Sequence, residues 1–258
     1  MTFAWISLTT DYGLSDGFVA ACHGVIARHA PAVRVIDVTH LVPPGDVRRG
    51  AHVLAQTAPH LPPSVHVAVV DPGVGTSRRA VAIETPGGLL VGPDNGLLLL
   101  AADGLGGVSA AAQLTNPEWL GDAVSATFHG RDIFAPAAAR LALGAPLAEA
   151  GPPVDGLVQL PAPRLHLGDG VIEAEVITVD RFGNVQLAAP GEALDRLGPH
   201  LLVDGVRATR GGTFGDVAPG ELVAFVDSAG QVALAINGGR AAVVLSVSPG
   251  DVLRLNVR

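Results

Sequence analysis

Val65-His-Val-Ala-Val-Val70-Asp71-Pro-Gly-Val-Gly-Thr-Ser-Arg78-Arg79 opens with six residues that are apolar but for one histidine, then breaks into a turn. A short apolar run bounded by Pro and Gly is the pattern of a strand buried on both faces. Comparable runs at residues 4–10 and 33–38 are each followed by residues at helical spacing. After the first come Phe18, Val19, Cys22, Val25 and Ile26, with Ser15 or Asp16 placed to cap the helix. After the second, Asp46 opens a helix that runs to about His60 and stops at Leu61-Pro62-Pro63. Strands alternating with helices predict an α/β domain with a mostly parallel sheet. Residues 80–84 and 88–91 read as a hairpin around Pro86-Gly87, and residues 132–143 as a further helix.

The texture changes near Gly144. Residues 144–163 hold five prolines and no clear period, which is the composition of a linker. Beyond them come short β-rich runs at 171–179, 185–187, 201–203, 221–226, 232–236, 242–247 and 252–257. Turn pairs separate them at Gly183-Asn184, Asp204-Gly205, Ala229-Gly230, Asn237-Gly238 and Pro249-Gly250. This predicts a smaller all-β, barrel-like C-terminal domain. The division is an α/β domain at 1–150, a linker at 151–167 and a β domain at 168–258.

Composition excludes several functions. With 48% hydrophobic and 16% charged residues, the 258-residue chain can bury a sizeable core. All sixteen basic residues are arginines, so neither a Schiff-base lysine nor a P-loop lysine exists. A net charge of −8 with scattered arginines gives no footprint for nucleic acid. The longest apolar runs, such as 96–102, are far too short to span a membrane. Cys22 is the one cysteine, so there is no internal disulfide. The first residues enter a strand pattern without a basic n-region, which points to a cytoplasmic protein.

Three aspartates, Asp11, Asp37 and Asp71, end predicted strands, where open α/β sheets bind their ligands. The Gly73-Val-Gly75 turn is not a dinucleotide fingerprint, because Arg78 fills the third glycine position. Thr127-Phe-His129-Gly-Arg131-Asp132 puts an imidazole, a guanidinium and a carboxylate just ahead of a helix. Together with Asp71, Arg78 and Arg79, these are parts for activating a water. No pair of histidines has a recognised ligand spacing, so no bound metal is expected.

Several motifs carry a family resemblance. They are Thr9-Thr-Asp-Tyr-Gly13, Asp37-Val-Thr-His40, Val69-Val-Asp-Pro-Gly-Val-Gly-Thr76, Gly92-Pro-Asp-Asn-Gly96, Thr127-Phe-His-Gly-Arg-Asp132, Asp180-Arg-Phe-Gly-Asn184 and Asn237-Gly-Gly239. In this order they resemble the S-adenosyl-L-methionine (SAM) hydroxide adenosyltransferases, adenosine-forming SAM hydrolases related to the SAM-dependent fluorinase and chlorinase. The resemblance implies hydrolysis of SAM to adenosine and L-methionine without a cofactor. It implies Asp71, Arg78 and His129 as the catalytic trio and Asp11 as the residue that grips the ribose. It places Asp16, Asp180 and Ser228 near the methionine amino group, and Phe182, Asn184 and Phe214 against adenine. It further implies a homotrimer, with substrate held between the first domain of one subunit and the second domain of the next. Three other readings stand beside it: a SAM-dependent halogenase, a non-catalytic SAM or adenosine binding module, and a metal-dependent hydrolase built on the strand-end aspartates, against which the missing ligand spacing argues. The halogenases are similar but carry tyrosines where Asp71 and His129 stand, and the fluorinase has a serine in place of Gly130.

Overall fold

The computed structural model describes residues 1–258, which divide into two compact units, 1–160 and 161–258. In the first unit the chain forms β1 (Trp5–Thr10), α1 (Phe18–His29), β2 (Arg34–Thr39), α2 (Val47–Thr57), β3 (Val65–Val69), β4 (Ala80–Thr85), β5 (Gly88–Pro93), α3 (Leu99–Gly104), β6 (Ala110–Gln113) and α4 (Ala135–Ala142). The sheet order is β2-β1-β3-β5-β4-β6. The first four of these strands are parallel, and β4 runs antiparallel to both its neighbours. This is the expected α/β domain with a mostly parallel sheet.

Strand β3 explains why the opening stretch reads as a continuous apolar run. All five of its residues are buried. Val65, Val67 and Val69 pack into one cluster with Ile26 of α1 and Ala138 of α4. Ala68 and Val70 point into the opposite cluster with Leu54 of α2 and Ala101 of α3. With helices on both faces, neither side of the strand has a use for polar residues. Each fully buried Val, Leu or Ile contributes roughly 1.5–3 kcal/mol. The approach is close at Gly50 of α2, where a Cβ would lie 2.8 Å from Leu97 and 2.9 Å from Val70.

Some local expectations change. Asp46 caps α2 as expected, accepting from the Arg49 N–H at 2.9 Å. Neither Ser15 nor Asp16 caps α1; Gly17 takes the N-cap position without a side-chain bond. Helix α3 went unread because residues 97–102 are apolar throughout and so show no period. The helix expected at 132–143 starts earlier, as a π-helical turn at Gly130–Phe134 that passes into α4.

The stretch read as a linker is not loose chain. Val154, Leu157 and Leu160 pack on the α2–α3 cluster. The Val158 N–H donates to Asp94 at 2.8 Å, and Arg79 donates to the Gly156 carbonyl at 2.8 Å. The second unit then begins with β7 (Leu165–Gly168).

It continues with β8 (Val171–Val179), β9 (Val185–Pro190), β10 (His200–Val203), β11 (Val206–Arg210), β12 (Leu222–Val226), β13 (Gln231–Ile236), α5 (Ala241–Val244) and β14 (Val252–Val257). The order β14-β10-β11-β12-β13-β9-β8, with β8 pairing back onto β14, closes a seven-stranded barrel; β7 attaches outside β8. Ile172, Ala174, Val176, Leu187, Leu234, Leu253 and Leu255 are among the buried residues of its core. Residues 242–247 were expected as a strand and instead follow into the short helix α5. Once β8 pairs with β14 on one side and β7 on the other, the ring has no edge there for a further strand. Ala241 tucks in, the Ala242 N–H bonds the Gly183 carbonyl at 3.0 Å, and Val243 and Val244 stay exposed. No helix in either unit is long and apolar enough to cross a membrane.

Candidate active site

Strand β2 lies to one side of β1 and β3 to the other, so the connections leaving the sheet part company at the carboxyl ends of β1 and β3. In such sheets that crevice is where ligands bind. Asp11 follows β1 and Asp71 follows β3.

After Asp71 the chain turns back on itself. The Val74 N–H reaches the Asp71 carbonyl at 3.2 Å, and the Thr76 hydroxyl donates to the Gly73 carbonyl at 2.7 Å. Gly75 has φ +77° and lies against the Ala126 carbonyl, so no side chain fits there. This turn brings Arg78 beside Asp71 and sets the loop of residues 125–129 against both.

That loop is shaped by Asp132. Its Oδ2 accepts from the Ser125 N–H at 2.9 Å, and the Arg131 guanidinium holds it at 2.6 and 3.0 Å. Burial alone would raise its pKa, but these hydrogen bonds hold the carboxyl below the usual range. Asp132 therefore orders the loop while His129 enters the crevice at the head of the π-helical turn, a backbone form often found at functional sites.

The trio is contiguous. Arg78 Nε donates to Asp71 Oδ1 at 2.9 Å and Oδ2 at 3.0 Å, and its Nη2 also bonds Oδ2. The same Nη2 lies 2.7 Å from His129 Nδ1. A guanidinium only donates, so Nδ1 accepts and neutral His129 carries its hydrogen on Nε2. The Arg78 guanidinium also stacks over the Phe134 ring, 5.3 Å from its centre. The Asp71 and Arg78 side chains are only 5% and 11% exposed, so their attraction is weakly screened. Burial lowers the His129 pKa and the Arg78 charge lowers it further, against an opposing pull from Asp71 and Asp132. The imidazole is accordingly neutral near pH 7.

A cleft of about 260 Å³ opens over Asp71 and His129, with Arg78 bonded to both. Asp11, Tyr12, Gly45, Asp71, Thr127 and His129 are among its lining residues. Asp11 is positioned by the Gly45 N–H, which donates to Oδ2 at 2.9 Å. Arg79 does not share the site; it turns away to Asp94. Asp16 is exposed on the loop before α1 and is not among the lining residues. The structure thus brings Asp11, Asp71, Arg78 and His129 together and leaves Asp16 outside. Sequence reasoning missed Tyr12 and Thr127, although both sit in the quoted motifs, because neither residue type announces a role without a neighbour. Burial raises the Tyr12 pKa and keeps its hydroxyl protonated.

The remaining candidates lie on the second unit. Asp180 Oδ1 accepts from the N–H groups of Phe182 and Asn184 at 2.8 and 2.9 Å, and Oδ2 from Asn184 Nδ2 at 2.8 Å. This self-contained turn between β8 and β9 pushes the Phe182 ring outward, 73% exposed. Phe214 is also exposed, its ring resting edge-on against Phe225 at 5.2 Å. Ser228 is exposed in the β12–β13 turn, which Asp227 organises by accepting from the N–H groups of Ala229 and Gln231.

Comparison with known proteins adds a consistent picture. Residues 6–151 match the family described as the SAM hydroxide adenosyltransferase N-terminal domain, and residues 174–254 match the corresponding C-terminal domain. The chain is 68% identical over 253 residues to the (R)-S-adenosyl-L-methionine hydrolase of Salinispora tropica, covering 97% of each. It is 44% identical to the hydrolase of that name from Thermus thermophilus, covering 95% of this chain and 97% of the relative. Fluorinases match at lower identity, 27% for that of an Actinoplanes species. Among solved structures, an uncharacterized conserved protein from Thermotoga maritima superposes with a TM-score of 0.91 at 38% identity, covering 97% of this chain and 99% of the other.

Proposed function

The chain belongs to the SAM hydroxide adenosyltransferase family, and from that premise we propose that it hydrolyses SAM to adenosine and L-methionine by attack of water on C5′ of the ribose. The observation that carries this reading is the single hydrogen-bonded unit in which Arg78 joins Asp71 and His129, both of which line the cleft.

In the reaction the C5′–O bond forms as the C5′–S bond breaks. The bonding pair leaves with sulfur, which becomes the neutral thioether of methionine. The difficulty lies in the nucleophile, because free water has a pKa near 15.7. The water must lose a proton as it attacks, and the charge that develops must be stabilised. His129, with its hydrogen on Nε2, orients the water by donating to it. Asp71 carries the negative charge of the trio and takes the proton. Arg78 holds both partners and steadies the charge. Alignment opposite the sulfur contributes as much as basicity, since positioning replaces a bimolecular encounter. Asp11 holds the ribose hydroxyls. Phe182, Asn184 and Phe214 receive the adenine, while Asp16, Asp180 and Ser228 receive the methionine amino group. No cofactor takes part in this scheme. The active assembly is a homotrimer in the cytoplasm.

The test is a product analysis. The purified protein is incubated with SAM of either sulfur configuration in ¹⁸O-water, with and without chloride or fluoride. The name of the relatives specifies the R epimer, so the two epimers are run separately. Adenosine labelled at the 5′ oxygen is expected. A 5′-halo nucleoside would make the protein a halogenase, and binding without turnover would make it a binding module. The His129→Ala variant is expected to lower turnover by about 10²-fold, the scale on which a misplaced reactant costs rate. Near-wild-type turnover in that variant would remove His129 from the mechanism.

A further inference from the structure

His23, Asp37 and His40 come from three separate elements: the middle of α1, strand β2 and the loop that follows it. Their ligand atoms all lie within 4.8 Å of one another. His23 Nε2 is 2.8 Å and His40 Nε2 3.0 Å from the same oxygen, Asp37 Oδ1. We propose that these three side chains form a binding site for a divalent transition metal of the zinc class, separate from the catalytic trio.

The decisive residue is His40. Its side chain is only 3% exposed, and Nε2 has no well-formed hydrogen bond, with Asp37 Oδ1 beside it at 3.0 Å. A buried polar nitrogen without a partner is costly, and a metal ion would satisfy it. The opposite ring atom is already arranged for this. Nδ1 lies 2.8 Å from Thr10 Oγ1, which also accepts from the Tyr12 N–H at 3.2 Å. Oγ1 can accept a hydrogen from Nδ1, and in that tautomer the ring would present a lone pair at Nε2 towards His23 and Asp37. An outer partner that fixes the tautomer in this way is a regular feature of metal-bound histidine.

The distances suit such an ion. Bonds of about 2.0–2.2 Å from zinc to imidazole and carboxylate place neighbouring donors about 3 Å apart. The observed 2.8 and 3.0 Å pairs need to open by little. Two imidazoles and one carboxylate without a thiolate select zinc, cobalt or nickel over magnesium or calcium. His23 and Asp37 are 36% and 43% exposed and give the ion a way in, with room for water to complete its shell. The histidine pattern in the sequence offers no sign of this site, because His23 reaches Asp37 only through the packing of α1 beside β2.

Such an ion would act on the loop that carries Asp11. The Gly13 N–H donates to the His40 carbonyl at 2.8 Å, and the Val42 N–H to the Thr10 carbonyl at 3.3 Å. Occupancy would therefore stiffen the segment of residues 10–13 without touching the reacting groups.

The test uses untagged full-length protein freed of metal with a chelator and then titrated with Co²⁺, read by its visible absorption. One Co²⁺ per chain is expected, displaced by Zn²⁺ but not by Ca²⁺, together with a raised Tm. His23→Ala and Asp37→Asn are expected to abolish the band while circular dichroism shows an unchanged fold, since both positions are partly exposed. Absence of a saturable band, displacement by Ca²⁺, or a band that survives in either variant would overturn the proposal.

Discussion

At the scale of single residues, Arg78 carries the most. Its fork bonds both oxygens of Asp71 and also Nδ1 of His129, so it fixes the orientation of one partner and the tautomer of the other. A lysine would supply the charge but not the planar fork. Arg78→Lys is expected to cut kcat at least tenfold while the protein still folds; unchanged kcat would show that charge alone suffices. His66 gives a prediction about stability. It is buried in β3 against the Ser7 hydroxyl at 2.8 Å, and burial lowers its pKa from the ordinary 6.5 to about 4. Because the unfolded chain takes up this proton first, the stability is fully present above about pH 6.5 and is lost as pH falls towards 4. The loss amounts to about 3 kcal/mol across that window. His66→Gln should show a flatter decline in urea-denaturation stability over that window than the wild type; an equally steep decline would place the acid sensitivity elsewhere. Two short polar motifs at element ends put Asp71, Arg78 and His129 among the candidates together with Arg79, Arg131 and Asp132, and the family resemblance singled out the three. His23 was not, since an isolated histidine on a helix acquires meaning only from what packs beside it.

At the scale of elements, the π-helical turn at Gly130–Phe134 is what delivers His129, and it depends on Gly130. A Cβ at that position would collide with the Tyr12 hydroxyl. Gly130→Ala is therefore expected to cost about 1–3 kcal/mol in urea denaturation and to lower turnover, the usual penalty for overpacking. Pairing it with Tyr12→Phe should recover part of the stability, because the hydroxyl is the nearest obstacle; no recovery would mean that the backbone, not the tyrosine, limits the position. The same contact explains why a serine in place of Gly130, as the fluorinase resemblance implies, does not fit this chain without a change at Tyr12. Elements with a clear period or a buried run were legible, including β1, β3 and α2. The short strands β6, β7 and β11 escaped, and two further segments did so for clear physical reasons. The uniform apolar stretch that makes α3 has no polar face to mark its period. The β-branched residues before Val247 were kept out of the barrel by its closure, which no local propensity encodes.

At the scale of the whole molecule, the chain divides into a unit that holds the proposed reacting groups and a closed barrel that holds exposed aromatic rings. Phe182 and Phe214 are large apolar side chains left in water. In the proposed assembly Phe182 and Phe214 are covered by nucleoside and neighbouring subunit. Light scattering on the eluting protein is expected to give a mass three times that of one chain, and a monomer with full activity would refute the shared site. The division into an α/β unit and a barrel was legible from texture alone. The packing of residues 154–160 on the first unit was not, because prolines without a period look like loose chain whether or not they are bound. The sharing of Arg78 between two partners also constrains descent. Replacing Asp71 alone strands a desolvated cation beside a positively charged sulfonium, whereas replacing neutral His129 leaves the Asp71–Arg78 pair in place. A lineage that trades water for another nucleophile therefore meets its steeper barrier at position 71, where the charge on Arg78 must be answered in some other way.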